Sequence, residues 1–106
     1  MMIPKNMNEI MRQAQKMQEK MNKLQEELQN RQVSAGAGGG MVEATVNGKG
    51  QLLAVKLEKD VVNPEDTDML CDLIVAAVAE AQRQAGQMME EEMSAITGGL
   101  KMPGLF

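Results

Sequence analysis

Between Gly36 and Leu57 two short apolar alternations face each other across a turn-forming tetrapeptide. Val42, Ala44 and Val46 recur at every second position, as do Leu53, Val55 and Leu57, which is the period of a half-buried strand. Asn47-Gly48-Lys49-Gly50 lies between them, and Asn-Gly tolerates the positive φ that a tight hairpin turn demands. Gln32 to Ala35 has weaker strand character, followed by Gly36-Ala37-Gly38-Gly39-Gly40, where glycine can reverse the chain without steric cost. The expectation is an antiparallel three-stranded meander over 32–36, 40–47 and 50–57. So small a sheet is marginal alone in water. It needs the helical patterns on either side, and it is their hub.

The first of these patterns has a strict spacing. Met7, Ile10, Ala14, Met17, Met21, Leu24 and Leu28 follow at intervals of three and four, a heptad seam. A helix over 5–32 would be about 40 Å long at 1.5 Å per residue, longer than the sheet is wide, so part of it should project. Lys5, Arg12, Lys16, Lys20 and Lys23 fall within about 80° of one another, roughly opposite the seam, with Glu9 and Glu27 on the same arc. Two readings fit this diluted basic stripe. It is either a solvated helix back with a Glu19 to Lys23 pair, or a surface that tracks phosphates without reading bases.

The second helix is expected over 64–97. Asn63 can cap it, Pro64 suits its first position, and the acids at 65, 66 and 68 complement its dipole, which gives those carboxylates a structural role. From Met69 to Ala81 apolar residues occur nearly all the way round; a helix of that kind must be enclosed on all sides. This half therefore belongs in a subunit interface, with Cys71 as a buried small hydrophobe. Beyond Ala81 the pattern thins and the helix becomes an arm carrying Glu90-Glu91-Glu92, a solvated run that would repel a polyanion facing it. Gly98-Gly99 stops the helix, leaving an apolar tail over 98–106 that docks or frays.

Composition narrows the function. With 106 residues, one aromatic and twelve methionines, the core lacks its largest apolar units, and one chain is short of buried surface to offset its ordering. Oligomerisation is the expected remedy. The net charge of −4 is polarised: residues 1–33 carry six basic against four acidic side chains, residues 34–60 balance, and residues 61–106 carry two basic against eight acidic. A single cysteine and no histidine leave neither a disulfide framework nor ligands for a soft metal site. No run is apolar enough to span a membrane and no export signal opens the chain, so a cytoplasmic protein is expected. The glycine run lacks the Gly-Lys-Ser/Thr of a phosphate loop, and a strand follows it instead of a helix. Ser34, Thr45, Thr67, Ser94 and Thr97 read as strand, cap or surface residues, and no nucleophile has a base beside it in sequence. The chain is not expected to be an enzyme, nor to use a cofactor, a metal or a small-molecule substrate.

Taken in order, these residues resemble a known family. Gly38-Gly39-Gly40-Met41-Val42 entering a strand, Val46-Asn47-Gly48 at the turn, Asp68-Met69-Leu70-Cys71-Asp72-Leu73-Ile74-Val75-Ala76-Ala77 opening the second helix, and the Gly98-Gly99-Leu100 and Pro103-Gly104-Leu105 tail resemble the YbaB/EbfC family of bacterial nucleoid-associated proteins. The resemblance implies an α+β fold of order α-β-β-β-α. It also implies a homodimer whose projecting helices hold double-stranded DNA in the nucleoid, contributing to chromosome organisation and gene regulation. On this chain the DNA contacts would be Lys5, Arg12, Lys16, Lys20 and Lys23 of the first helix, with Arg83 alone from the second. So few cations and no stacking aromatic imply modest affinity that falls steeply with salt. The rival reading is a chaperone or adaptor resembling prefoldin, whose methionine-rich arms grip apolar partners.

Overall fold

The computed structural model describes residues 5–98. Within them the order is α1 (Lys5–Asn30), β1 (Gln32–Ala37), β2 (Val42–Asn47), β3 (Leu52–Leu57), a short 3-10 turn (Lys59–Val61) and α2 (Thr67–Thr97). This is the α-β-β-β-α arrangement. The sheet is antiparallel in the order β1-β2-β3. Ala35 pairs with Ala44 across the first ladder and Ala44 with Val55 across the second, with a bulge between Thr45 and Val46.

Both turns depend on glycine, but not at every position the sequence suggested. Gly38, Gly39 and Gly40 all take positive φ, as expected of the reversal from β1 to β2. In the second hairpin the positive φ falls on Gly50, at 85°, and not on Asn47 or Gly48. The Gly50 amide donates to the Asn47 carbonyl at 2.9 Å, so the connection is a four-residue turn closed by a left-handed glycine and a bulge. Asn47 is buried at 3% exposure. Its Oδ1 accepts from the amides of Lys49 and Gln51 at 3.0 Å each, and its side chain therefore satisfies the turn's own donors. Gly48 has a different task. A Cβ there would lie 2.6 Å from the Leu28 carbonyl oxygen, because the last turn of α1 rests on this residue and accepts its amide at 2.7 Å.

Helix α2 lies across β1 and β2. Ala77, Ala81 and Ala85, spaced at i, i+4 and i+8, are fully buried, and these small side chains let the helix approach Val42, Ala44 and Val46 closely. Val61, from the 3-10 turn, completes this core at 0% exposure; the sequence pattern did not single it out. Because α2 covers only two strands, every residue of β3 is exposed. The half-burial that the Leu53, Val55, Leu57 alternation predicted is therefore absent in the single chain, with these residues 51%, 38% and 38% exposed. Cys71 is likewise exposed and not buried, and Met69 and Val75 share the uncovered back of α2.

The start of α2 also differs from expectation. Asp66 and not Asn63 caps it, its carboxylate accepting from the Met69 amide at 3.3 Å. Asn63 instead closes a separate turn, accepting from the Glu65 amide at 3.0 Å, so Pro64 stands before the helix and not within it. The tail beyond Gly98 lies outside the described residues.

Candidate nucleic-acid interface

Helix α1 divides into two parts. Leu24 and Leu28 are buried and Met17 and Met21 half-buried, which fixes the C-terminal part against α2 and the β2 turn. Toward the N-terminus the same seam is bare, with Met7 and Ile10 51% and 57% exposed and the adjoining Met11 57%. The anchor between the helices is an ion pair at their junction, Arg31 Nη1 to Glu92 Oε1 at 2.8 Å. Its direct hydrogen bond to Glu92 raises the Arg31 pKa above its ordinary value. Five residues of α2 follow Glu92 and so run about 7 Å further, whereas α1 runs back from Arg31 through 26 residues. The molecule measures 75 × 25 × 20 Å, the long dimension coming from α1 overhanging the end of α2.

On that overhang the cations stand in one row. Arg12, Lys16, Lys20 and Lys23 are all exposed and share one face of a continuous helix. Arg12 to Lys23 spans about 16 Å of helix axis, the length of about five base pairs at 3.4 Å per step. Lys5 is the first residue of α1. The Glu19 to Lys23 pair does not form: the ion pairs among the described residues are Arg31–Glu92 and Arg83–Glu80.

Arg83 is placed apart from this row. It projects from α2 on the side away from the buried alanines. Its guanidinium grips Glu80 through Nε at 3.0 Å and Nη2 at 2.7 Å. The Arg83 hydrogen bond, helped by that of Gln84, lowers the Glu80 carboxyl to about 2, and Arg83 is raised in turn. Its charge is already matched. The structure thus brings together the α1 cations and separates Arg83 from them. Two features escaped sequence reasoning. Arg31 pairs across 61 residues, which no local spacing reveals, and Lys49 is exposed on the turn against the base of α1. The expected solvated acidic run is divided too: Glu92 is held by Arg31, whereas Glu90 and Glu91 are exposed.

A basic, solvent-exposed rod standing off a small α-β-β-β-α body is the geometry on which the family comparison bears. The family model for the YbaB/EbfC DNA-binding family matches residues 2–100. The chain belongs to this family. Among its relatives are a nucleoid-associated protein of Thermoanaerobacter pseudethanolicus, 50% identical over 95% of this chain and 91% of its own. Another is the nucleoid-associated protein of Pelotomaculum thermopropionicum, 48% identical over 95% and 96%. A crystal structure of an uncharacterized protein from Helicobacter pylori has the same fold, with a TM-score of 0.63 at 19% identity, covering 74% of this chain and 90% of that one. In this YbaB/EbfC protein Arg12, Lys16, Lys20 and Lys23 lie exposed along one helix flank. Such an arrangement suits the outside of a polyanion. Among the described residues no group of three or more acidic or cysteine side chains is placed to hold a metal ion, and no helix is long and apolar enough to cross a membrane.

Proposed function

We propose that this YbaB/EbfC protein is a non-enzymatic, nucleoid-associated homodimer that holds duplex DNA between projecting α1 helices, and so contributes to chromosome organisation and, through occupancy, to gene regulation. The observation that supports it is the exposed row Arg12, Lys16, Lys20 and Lys23 on the part of α1 that overhangs the body. Lysines and arginine in a line neutralise phosphates and release counterions, giving affinity without base readout. Lys5 extends the row by its place at the head of α1, and Arg83 is assigned a lesser share because Glu80 already holds it. The dimer is supported by β3, an uncovered edge strand with Leu52, Leu53, Val55 and Leu57 exposed, a combination that a lone soluble domain avoids.

The test is a retardation assay on duplex DNA with Lys16→Glu, Lys20→Glu and Lys23→Glu combined. Retardation is expected to vanish while the solution mass stays that of the wild type. Unchanged retardation would remove the α1 assignment. Raising the salt is expected to release DNA from the wild type, whereas the capture of apolar clients by a prefoldin-like arm would persist.

A further inference from the structure

One linkage in the turn from β2 to β3 is chemically labile by its sequence. Asn47-Gly48 is the only Asn-Gly pair in the chain. In such a pair the glycine nitrogen reaches the asparagine carboxamide with no side chain in the way, closes a ring on Cγ and expels ammonia. Water then opens the ring to aspartate or isoaspartate. The attack needs a glycine nitrogen free to lose its proton and a carboxamide free to turn toward it.

The fold withholds both. The Gly48 amide donates to the Leu28 carbonyl at 2.7 Å and to the Arg31 carbonyl at 3.1 Å, serving carbonyls that the end of a helix leaves without helical partners. The Asn47 carboxamide is fixed at both of its atoms. Its Oδ1 accepts from the amides of Lys49 and Gln51 at 3.0 Å each, and its Nδ2 donates to Gln51 Oε1 at 2.7 Å. Asn47 is 3% exposed, and Gly48 is buried. The carboxamide is restrained by the turn itself, whereas the nitrogen is restrained by α1, which the buried Leu28 and the Arg31–Glu92 pair hold in place.

We propose that Asn47-Gly48 is a latent deamidation site gated by the last turn of α1. While α1 is seated, the Gly48 nitrogen keeps its proton. When that turn lifts, the nitrogen gives its proton to a solvent base and bonds to Asn47 Cγ; the Cγ–Nδ2 bond breaks, and Nδ2 takes up a proton and leaves as ammonia. Hydrolysis of the succinimide consumes a water molecule and leaves a carboxylate at either product. Isoaspartate inserts an extra main-chain carbon before Gly48, which moves its amide out of register with the Leu28 carbonyl, so that α1 cannot reseat. The site thus records an opening of the arm irreversibly. This inference rests on the clamp at Gly48 and not on DNA.

The test incubates the full chain at mildly alkaline pH and scores residue 47 by peptide mass and by chromatographic separation of isoaspartate. The folded wild type is expected to deamidate at least about tenfold more slowly than the same chain in denaturant. Arg31→Ala is expected to deamidate several-fold faster than the wild type, in step with faster hydrogen exchange of its Gly48 amide. Equal rates in the folded and denatured wild type would overturn the protection, and faster exchange in Arg31→Ala without faster deamidation would overturn the gate. Low urea tests the gate without a variant: the rate is expected to rise with the shallow slope of a local opening, whereas the full slope of global unfolding would take the gate away from α1. The separated isoaspartate fraction is expected to be cut by trypsin after Arg31 several-fold faster than the intact chain, and equal cutting would overturn the lasting release of α1.

Discussion

At the scale of single residues, Gly48 shows how one position fastens an arm to a body. Its backbone needs no left-handed conformation; what it needs is the absence of a Cβ, which would sit 2.6 Å from the Leu28 carbonyl oxygen and 2.9 Å from its Cα. Both are backbone atoms of α1, so Gly48→Ala cannot be relieved by a rotamer change and must lift the end of the helix. Overpacking of this kind costs about 1–3 kcal/mol. The expected outcome is a melting temperature lower by at least several degrees, measured by calorimetry, with Lys49→Ala one residue away nearly neutral. The sequence made Asn47-Gly48 visible as a turn but assigned the glycine's purpose to φ. The reason lay in a helix whose last turn is twenty residues upstream, a tertiary contact that no dipeptide signal encodes. Val61 was missed for a related reason, since the adjacent pair Val61-Val62 after β3 has no periodicity to say which of the two is buried.

At the scale of elements, the two helices differ in how much their patterns disclosed. The heptad spacing of α1 identified the helix and its cation row. It could not show that the seam is supported only from Leu28 to about Met17, because that depends on where α2 ends in space. In α2 the sequence pointed to Asn63 as the cap and to the acids as complements of the dipole, but Asp66 also carries a side-chain acceptor and is the residue that caps the helix. The Arg83–Glu80 pair gives a test belonging to this helix. Glu80 has its folded pKa lowered to about 2 from an ordinary 4.5, so whatever stability it adds is present above the ordinary carboxylate range and is lost as the pH falls through about 2. The pair is solvent-exposed, and its effect on stability is small. Carbon-detected titration of Glu80 is expected to report that low value in the wild type and a return toward the ordinary range in Arg83→Gln. In DNA retardation the same substitution is expected to weaken binding much less than Lys20→Gln, because Arg83 must leave a carboxylate to meet a phosphate. Equal losses would place Arg83 on the DNA path.

At the scale of the whole molecule, the uncovered β3 and the uncovered back of α2 make the same demand. The alternation of Leu53, Val55 and Leu57 was legible as a strand with an apolar face, yet among the described residues no element covers that face. The methionine-rich, nearly aromatic-free composition had already implied a core too small for one chain, and among the described residues the largest fully buried side chains are Leu28, Val42, Val46 and Val61. On the homodimer reading, folding and association are linked, so the melting temperature of the wild type rises with protein concentration. Leu53→Lys with Leu57→Lys places two charges on the edge strand, which opposes strand-to-strand pairing. This variant is expected to show the mass of one chain by light scattering and a melting temperature that is lower and independent of concentration. Cys71 supplies a second readout that does not require a stable variant. It is exposed on the single chain within the apolar first half of α2, so its reaction with a thiol reagent is expected to slow as the protein is concentrated. A wild type with the mass of one chain, a fixed melting temperature and a fixed Cys71 reactivity would leave each α1 rod without its opposite, and a duplex could then be touched but not held.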